Sequence, residues 1–164
     1  MINTFWPGPL TLVFRKDKSV LGELTGGQDT VAIRAPAHPI AQELLRKFQG
    51  ALVAPSANRF GKVSPTCAAD VRSEFEGEIN LLVLDGGDSL VGIESTIIDL
   101  SSGDHAVLLR PGVITPKTIF KKTGIKVYGP GEQIKNQDLP KVSGSLKTHY
   151  APTTPLRLYS SGRV

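Results

Sequence analysis

The sequence predicts an α/β (or α+β) fold built on one twisted sheet, and three observations support that class. Short apolar runs are interspersed with helical patterns along most of the chain. Glycine and proline account for 17 and 12 of the 164 residues, which favours many turns and short elements. Hydrophobic residues make up 40% and charged residues 21%, a balance typical of globular proteins. The length fits one domain, or one domain with part of another.

Short apolar runs predict the strands. They are bounded by glycine, proline or polar residues, as the strands of a packed sheet usually are. The run at 79–84 is continuously apolar, which is typical of a strand covered on both faces. Met1 leads almost directly into the first run. In chain order the predicted strands are residues 11–14, 31–33, 51–54, 79–84, 93–100, 106–109 and 125–128.

Three helices are predicted between the strands. Pro39 suits a first helical position, and an apolar stripe at helical spacing follows it as far as the glycine at position 50. Ser64, followed by proline, is the expected N-cap of a second helix that continues to about residue 75. A short third helix begins at the Thr-Pro pair 115–116 and stops at a glycine.

Charge and cysteine content exclude several classes of protein. The net charge is +4, but residues 117–164 carry nine basic and two acidic side chains. This region either attracts a phosphate-bearing partner or is a lysine-rich solubilising surface. One cysteine excludes a disulfide scaffold and any Cys-based metal cluster within the chain. With no apolar stretch near ~20 residues and no signal-peptide pattern, we expect a cytoplasmic protein without a membrane span.

Two segments in the first half carry candidate binding residues. Thr30 and Arg34 lie four apart on a predicted strand and therefore on one face, where the guanidinium would bind a carboxylate or phosphate. The simpler interpretation is a surface arginine paired with a nearby carboxylate. Ser56, Asn58 and Ser64 lie in a loop of small residues that enters a helix, which favours a negative ligand. Turn formation and helix capping explain the same residues equally well.

Two further segments carry candidates in the second half. Ser95 lies in a Gly-Ile-Glu-Ser-Thr run that lacks the spacing of a nucleophile elbow, so a hydrogen-bonding role or a plain edge strand is expected. Arg110 ends a strand just before a Pro-Gly turn, at the sheet margin where α/β proteins bind ligands. The His-Tyr pair 149–150 would cover such a site or be merely exposed. No metal motif is present, and Asp85, Asp88 and Asp99 are only weak candidates for magnesium.

The ordered motifs resemble the YrdC-like family, whose members are L-threonylcarbamoyladenylate synthases. The resemblance covers residues 4–118, and residues 149–156 resemble the linker junction of the two-domain type. It implies a YrdC-like twisted mixed sheet with flanking helices. The matching motifs are Phe-Trp-Pro-Gly-Pro-Leu-Thr at 5–11, Val-Ala-Ile-Arg-Ala-Pro at 31–36, Ala-Pro-Ser-Ala-Asn at 54–58, Ser-Pro-Thr at 64–66, Asp-Gly-Gly at 85–87, Gly-Ile-Glu-Ser-Thr at 92–96 and Leu-Arg-Pro-Gly at 109–112.

The resemblance implies a reaction and its binding residues. L-threonine, bicarbonate and ATP would give threonylcarbamoyl-AMP and pyrophosphate in a basic cavity with magnesium, and a separate transferase would modify adenosine 37 of tRNA. The positions that match threonine contacts are Arg34, Ala54 and Ser95. The positions that match ATP contacts are Thr30, Ser56, Ser64, Arg110 and Tyr150, with Asn58 as a further polar contact.

The resemblance also implies an organisation. Residues 1–128 would form a partial synthase domain that is incomplete at the N-terminus, 129–152 a linker, and 153–164 the start of a truncated Rossmann-like domain. The Pro-Thr-[Asp/Glu]-Thr-Val-Tyr-Gly-Leu-like and Lys-x-Arg motifs that precede Trp-Pro-Gly-Pro in the family are absent. We therefore expect weak or no ATP binding by this chain alone.

Two other functions fit parts of the pattern. A non-enzymatic double-stranded RNA-binding module would use the basic residues of 117–164 and would bind RNA with a steep salt dependence. A carbamoyl-transfer domain of the hydrogenase-maturation type is also YrdC-like. The His-Tyr-Ala-Pro junction at 149–152 and the lack of zinc-finger cysteines argue against that second alternative.

Overall fold

Four α-helices, one 3₁₀ helix and five strands form the part of the chain that the computed structural model describes, residues 1–129, 132, 139–144, 155 and 157. The helices are α1 (Ile2–Phe5), α2 (Pro39–Phe48), α3 (Ala68–Glu74) and α4 (Pro116–Thr123), and the 3₁₀ turn is Gly22–Thr25. The strands are β1 (Leu10–Arg15), β2 (Thr30–Ile33), β3 (Thr96–Asp99), β4 (Ala106–Arg110) and β5 (Val127–Tyr128).

The strands form one mixed sheet in the order β2-β1-β3-β4-β5. β1 is antiparallel to β2 and parallel to β3, while β4 is antiparallel to β3 and parallel to β5. The register between β3 and β4 shifts at Ile97/Ile98, as in a β-bulge. This mixed sheet with flanking helices confirms the predicted fold class.

The hydrophobic core lies against one face of the sheet. Leu10, Leu12 and Ile98 are fully buried on the central strands β1 and β3. They pack with Phe5 of α1 and Ile119 of α4, which closes the core from the helix side. Because side chains alternate along a strand, the same strands present their other residues to the opposite face.

Two predicted helices begin where their sequence signals lie. α2 starts at Pro39 and ends before Gln49, which adopts the left-handed conformation (φ 56°) that was expected at the glycine one residue later. α4 begins after Thr115, whose hydroxyl accepts a hydrogen bond from the Thr118 N–H at 3.2 Å. It ends at Gly124 in the left-handed conformation. α4 thus has both caps that its sequence predicts, whereas α2 begins at the predicted proline but ends at Gln49 in place of the glycine.

Two predicted strands are not strands in the structure. Residues 51–54 and 79–84 have no regular structure, and their side chains are largely exposed, as Val53 at 67% and Leu82 at 84% illustrate. Among the described residues, no strand pairs with either segment. An apolar run becomes a strand only where another backbone accepts its hydrogen bonds, and composition alone does not provide that partner.

Several element boundaries differ from the sequence prediction, among them the start of the last strand, which is at Val127 and not at residue 125. Helix α1 stands where the chain was expected to lead from Met1 into a strand. α3 starts only at Ala68, after the N-cap residue Cys67, which makes no side-chain cap, and the hydroxyl of Ser64 contacts other side chains. β3 starts at Thr96 because the residues before it take part in a side-chain network, described below.

The described chain buries side chains in two ranges of its sequence and leaves the side chains between those ranges partly or fully exposed. Buried residues fall within 1–33 and 95–128, whereas no residue of 34–94 is buried. The apolar stripe of α2 illustrates this, because Leu44 and Phe48 are 41% and 56% exposed. In the part of the chain that is described, no helix has the length and apolar character that a membrane span requires.

Candidate functional site

The sheet face opposite the core carries several of the predicted binding residues. Residues that pair across neighbouring strands lie on the same face. Thr30 pairs with Arg15, and two and four residues back along β1 the same face holds Val13 and Thr11. Thr11 pairs with Ile97 of β3, and Ile97 pairs with Arg110 of β4. We call this side, which bears Thr11, Thr30, Ile97 and Arg110, the site face.

Three predicted residues lie at one end of the sheet. The strand directions bring together the start of β1, the end of β2, the start of β3 and the end of β4. Arg34 directly follows β2, Ser95 directly precedes β3, and Arg110 ends β4. Thr30 begins β2 and therefore lies about 13 Å from Arg34 along that strand. The sheet thus groups Arg34, Ser95 and Arg110 and places Thr30 toward the other end.

Arg110 is the centre of a buried hydrogen-bond network. Its Nη1 donates to Glu94 Oε2 at 2.7 Å, and the two side chains are only 9% and 19% exposed. Its Nε donates to the Ser95 carbonyl oxygen and its Nη2 to the Ser95 hydroxyl, each at 3.0 Å. Ser95 Oγ is also 2.7 Å from the hydroxyl of Thr11. These bonds fix the plane of the guanidinium and leave one Nη2 hydrogen without an acceptor among the described residues.

Glu94 extends the network to the loop that follows residue 54. Ser64 Oγ lies 2.9 Å from Glu94 Oε1 and 3.3 Å from Asn58 Oδ1. A hydroxyl has a single hydrogen, and the nearer charged oxygen is the stronger acceptor. The Asn58 amide in turn donates to the carbonyl oxygens of Arg59 and Lys62, at 2.9 and 3.1 Å. Ser64 therefore joins the site through its side chain and does not cap α3.

The structure does not draw every predicted residue into this network. Ala54, Ser56 and Arg34 are exposed, and none makes a side-chain hydrogen bond or ion pair within the described residues. Thr30 is half-buried in β2 and likewise makes no such side-chain contact. Tyr150, with the neighbouring histidine, lies outside the described residues.

Three residues of the network were missed as site residues. Glu94 stood in the Gly-Ile-Glu-Ser-Thr motif, and an acidic residue beside a predicted strand start was a usable signal for the partner of a buried arginine. Thr11 lies inside a run that only predicted a strand. Ser143, whose carbonyl and hydroxyl oxygens lie 3.1 and 3.3 Å from Arg110 Nη1, lies 33 residues further along, and no local pattern connects the two.

The candidate magnesium ligands do not gather. Asp85 accepts from the Gly87 N–H and lies 3.7 Å from Arg72. Asp99 ends β3, away from the site end, and accepts from the Ser101 N–H at 2.9 Å. Within the described residues, no three His, Cys, Asp or Glu side chains are grouped to hold a metal ion. The described carboxylates therefore do not fit a protein-built magnesium site.

Two concave regions of the described chain lie elsewhere. One, of about 350 Å³, is lined by Phe75, Glu78 and Ile79. The other, of about 140 Å³, lies beside Thr66 and Gly86. Neither is lined by the predicted arginines or by the residues of the network, whose central groups Thr11, Ser95 and Arg110 are buried. A guanidinium held by hydroxyl and carboxylate groups at the margin of a mixed sheet places the chain among α/β proteins whose polar groups gather where such folds bind ligands.

The family comparison gives this class a name. A family model for Sua5, YciO and YrdC proteins, described as "Telomere recombination", matches residues 1–112. That match covers more than half of the chain, and it includes every residue of the network except Ser143 and thus the whole Arg110–Glu94 pair. The chain belongs to the Sua5/YciO/YrdC family.

Curated relatives support the same placement. A threonylcarbamoyl-AMP synthase of Pyrococcus abyssi is 46% identical over 153 residues, covering 93% of this chain and 44% of the relative. Proteins of the same name from Bacillus subtilis and Schizosaccharomyces pombe are 42% and 36% identical, covering 96% and 97% of this chain and 45% and 41% of those relatives. The chain thus spans less than half the length of these three curated relatives.

Solved structures show the same fold. The crystal structure of P. abyssi Sua5 complexed with L-threonine matches with a TM-score of 0.79 and 45% identity, over 92% of this chain and 44% of that one. A variant of P. abyssi Sua5 matches with a TM-score of 0.71 and 47% identity, over 77% of this chain and 37% of that one. At these identities the likeness extends beyond the fold to the sequence that builds it.

Proposed function

We propose that this chain acts in the synthesis of L-threonylcarbamoyladenylate from L-threonine, bicarbonate and ATP. Bicarbonate loses hydroxide to give carbon dioxide, the threonine amine attacks the carbon of that carbon dioxide, and the proton that leaves the nitrogen combines with the hydroxide to form water. A carbamate oxygen then attacks the α-phosphorus of ATP, and the bond to pyrophosphate breaks. Positioning and charge neutralisation suffice for this chemistry, so no protein nucleophile is required.

The Arg110–Ser95–Glu94 network is the observation that carries this proposal. It presents a fixed guanidinium beside hydroxyl groups at the sheet end where Arg34 also lies. In the described residues Arg34 has no ion-pair partner, so its fork is available to the carboxylate of an amino acid. Arg110 would face the phosphates of the nucleotide. The name of the P. abyssi complex, which contains L-threonine, is consistent with this assignment.

The remaining assignments rest on the family motifs. Ala54 and Ser95 would contact threonine with Arg34. The nucleotide would contact Thr30, Ser56, Ser64, Arg110 and Tyr150, with Asn58 nearby. Magnesium would accompany ATP, but we derive no step through it because the described carboxylates form no site. A cytoplasmic location, a downstream tRNA threonylcarbamoyl transferase and an RNA contact by the basic residues of 117–164 belong to the same proposal.

Pyrophosphate release tests the proposal. Because the chain covers only 44% of the P. abyssi relative, the assay uses both the chain and a chimera in which it replaces the matching segment of that relative. We expect the chimera to release pyrophosphate from ATP and bicarbonate only when L-threonine is present, and the chain alone to release little. A folded chimera whose pyrophosphate release does not depend on threonine would refute the function.

A matched pair of serine variants connects the activity to the site. Ser95→Ala removes the hydroxyl that contacts both Arg110 and Thr11, and we expect at least a tenfold loss of threonine-dependent turnover. Ser73→Ala is the control, since Ser73 is exposed in α3 and its hydroxyl makes no contact within the described residues. Equal activity of the two variants would remove Ser95 from the site.

A further inference from the structure

The 139–144 segment is attached to the domain through the side chain of Gln28. The Gln28 amide nitrogen donates to the Lys141 carbonyl oxygen at 3.0 Å, and the Lys141 N–H donates to the Gln28 amide oxygen at 2.7 Å. One side-chain amide thus pairs with both polar groups of a residue 113 positions away, in the manner of a neighbouring strand. The contact uses the donor and the acceptor of the amide at once.

The turn before β2 holds the backbone of Gln28 in place without any contribution from the 139–144 segment. Gly26 and Gly27 take positive φ angles of 59° and 78°, which glycine adopts without steric cost. The Thr25 hydroxyl donates to the Gln28 carbonyl oxygen at 2.8 Å, and the Gln28 N–H donates to the Thr25 carbonyl oxygen at 3.2 Å. The backbone from which the amide projects is therefore fixed, which lowers the entropy cost of holding Lys141.

The same segment contacts the site two residues later. Arg110 Nη1 donates to the carbonyl oxygen of Ser143 at 3.1 Å, and the Ser143 hydroxyl lies at 3.3 Å. Two residues of extended chain span at most about 7 Å, so a fixed Lys141 restricts Ser143 to a small volume beside the guanidinium. Ser143 and Glu94 are thus both partners of the same nitrogen, Arg110 Nη1.

We propose that Gln28 is a positioning residue for the Arg110 guanidinium, and that it acts by anchoring the backbone of Lys141 so that Ser143 stays on Nη1. This role rests on the proposed function, since it concerns the arginine assigned to the nucleotide. Gln28 itself touches neither Arg110 nor the network. With Ser143 in place, Nη1 has acceptors in both Glu94 and Ser143, which restricts rotation of the guanidinium and so the direction of its remaining Nη2 hydrogen.

Hydrogen–deuterium exchange of the 164-residue chain tests the anchor without any ligand. Gln28→Leu removes the donor and the acceptor of the amide at nearly constant volume. If each of the two exposed hydrogen bonds contributes the lower end of the usual net stabilisation, their loss should make amide exchange at residues 141–143 about fivefold faster. Gln28→Glu keeps only the acceptor, so its exchange rate at residues 141–143 should lie between those of the unsubstituted chain and Gln28→Leu. Gln42→Leu is the control, because the Gln42 amide binds the Pro36 carbonyl oxygen and makes no described contact with the segment. Unchanged exchange in Gln28→Leu would overturn the anchor.

ATP affinity and turnover of the chimera test the positioning role. We expect Gln28→Leu to raise the Kd and KM for ATP about fivefold with kcat within about twofold, and Gln28→Glu to recover part of the affinity. Faster exchange at 141–143 with an unchanged Kd for ATP would overturn the role while leaving the anchor. Loss of threonine-dependent pyrophosphate release in the unsubstituted chimera would instead refute the proposed function, and the exchange result would still decide the anchor.

Discussion

Replacing Arg110 by methionine tests whether the Arg110–Glu94 pair organises this end of the sheet. Methionine keeps most of the side-chain volume and removes the guanidinium hydrogen bonds that Arg110 donates to Glu94, Ser95 and Ser143. The Glu94 carboxylate would then keep only the Ser64 hydroxyl as a side-chain donor within the described residues. A mostly buried carboxylate that loses its cation is a large and measurable perturbation.

The magnitude follows from burial. Breaking a fully buried ion pair costs about 3–5 kcal/mol. Here the Arg110 side chain is 9% exposed and Glu94 is 19% exposed, and Glu94 retains one hydrogen bond. We therefore expect the lower end, about 3 kcal/mol of unfolding free energy. For a chain of 164 residues this corresponds to a fall in Tm of about 10 °C.

Urea unfolding of single and double variants measures the effect and its origin. Glu94→Gln in the Arg110→Met background removes the stranded charge, so the double variant should cost about 1–2 kcal/mol less than the sum of the single ones. Arg72→Met is the control, because Arg72 lies 3.7 Å from Asp85 with both side chains more than half exposed, and it should cost at most about 0.5 kcal/mol. Equal costs for Arg110→Met and Arg72→Met would refute the reasoning.

Three further predictions concern packing around the site. A methyl group on Gly112 would lie 2.5 Å from the Thr96 nitrogen and 2.8 Å from the Glu94 carbonyl oxygen. Gly112→Ala should therefore lower the unfolding free energy, measured by urea titration, by about 1–3 kcal/mol. An unchanged urea midpoint would contradict this close packing. Thr96→Val removes the hydroxyl that bonds both the N–H and the carbonyl of Ile114 and should cost about 1–3 kcal/mol by the same measurement, with a cost below about 0.5 kcal/mol as the contrary result. Amide exchange should be faster in 34–94 than in β1 and β3 because no residue of 34–94 is buried, and equal protection would contradict that difference.

Local signals predicted the elements that contain their own determinants. The helix that begins at Pro39 and the one capped by Thr115 needed only a proline, a hydroxyl and a terminal turn, all within a few residues. The β1 and β4 runs were predicted as strands because both are apolar. In the structure each of them pairs with β3. The run at 79–84 has the same composition and forms no strand, since a strand also needs a partner that its own residues do not specify.

The candidate site was predictable only in part for a related reason. Ser95 and Arg110 were identified because they stand next to strands and motifs that mark a sheet margin. Their partners come from elsewhere in the chain, since Thr11 lies 84 residues before Ser95 and Ser143 lies 33 residues after Arg110. Only the strand order and register bring these groups together. Glu94 was visible in a motif, but its role required knowledge that Arg110 is buried beside it.

The two faces of the sheet both bury side chains, but only the site face carries the Arg110–Glu94 ion pair. The face that carries Leu10, Leu12 and Ile98 buries its side chains in the core and supplies the hydrophobic stabilisation. The site face can then hold an ion pair whose desolvation cost is close to its Coulombic gain. Glu94 orients the Arg110 guanidinium, but it also competes for that cation with any anionic ligand. An anion would bind well here only if it used the Nη2 hydrogen that has no acceptor among the described residues or drew on a second cation, and Arg34 lies at the same end of the sheet to provide one.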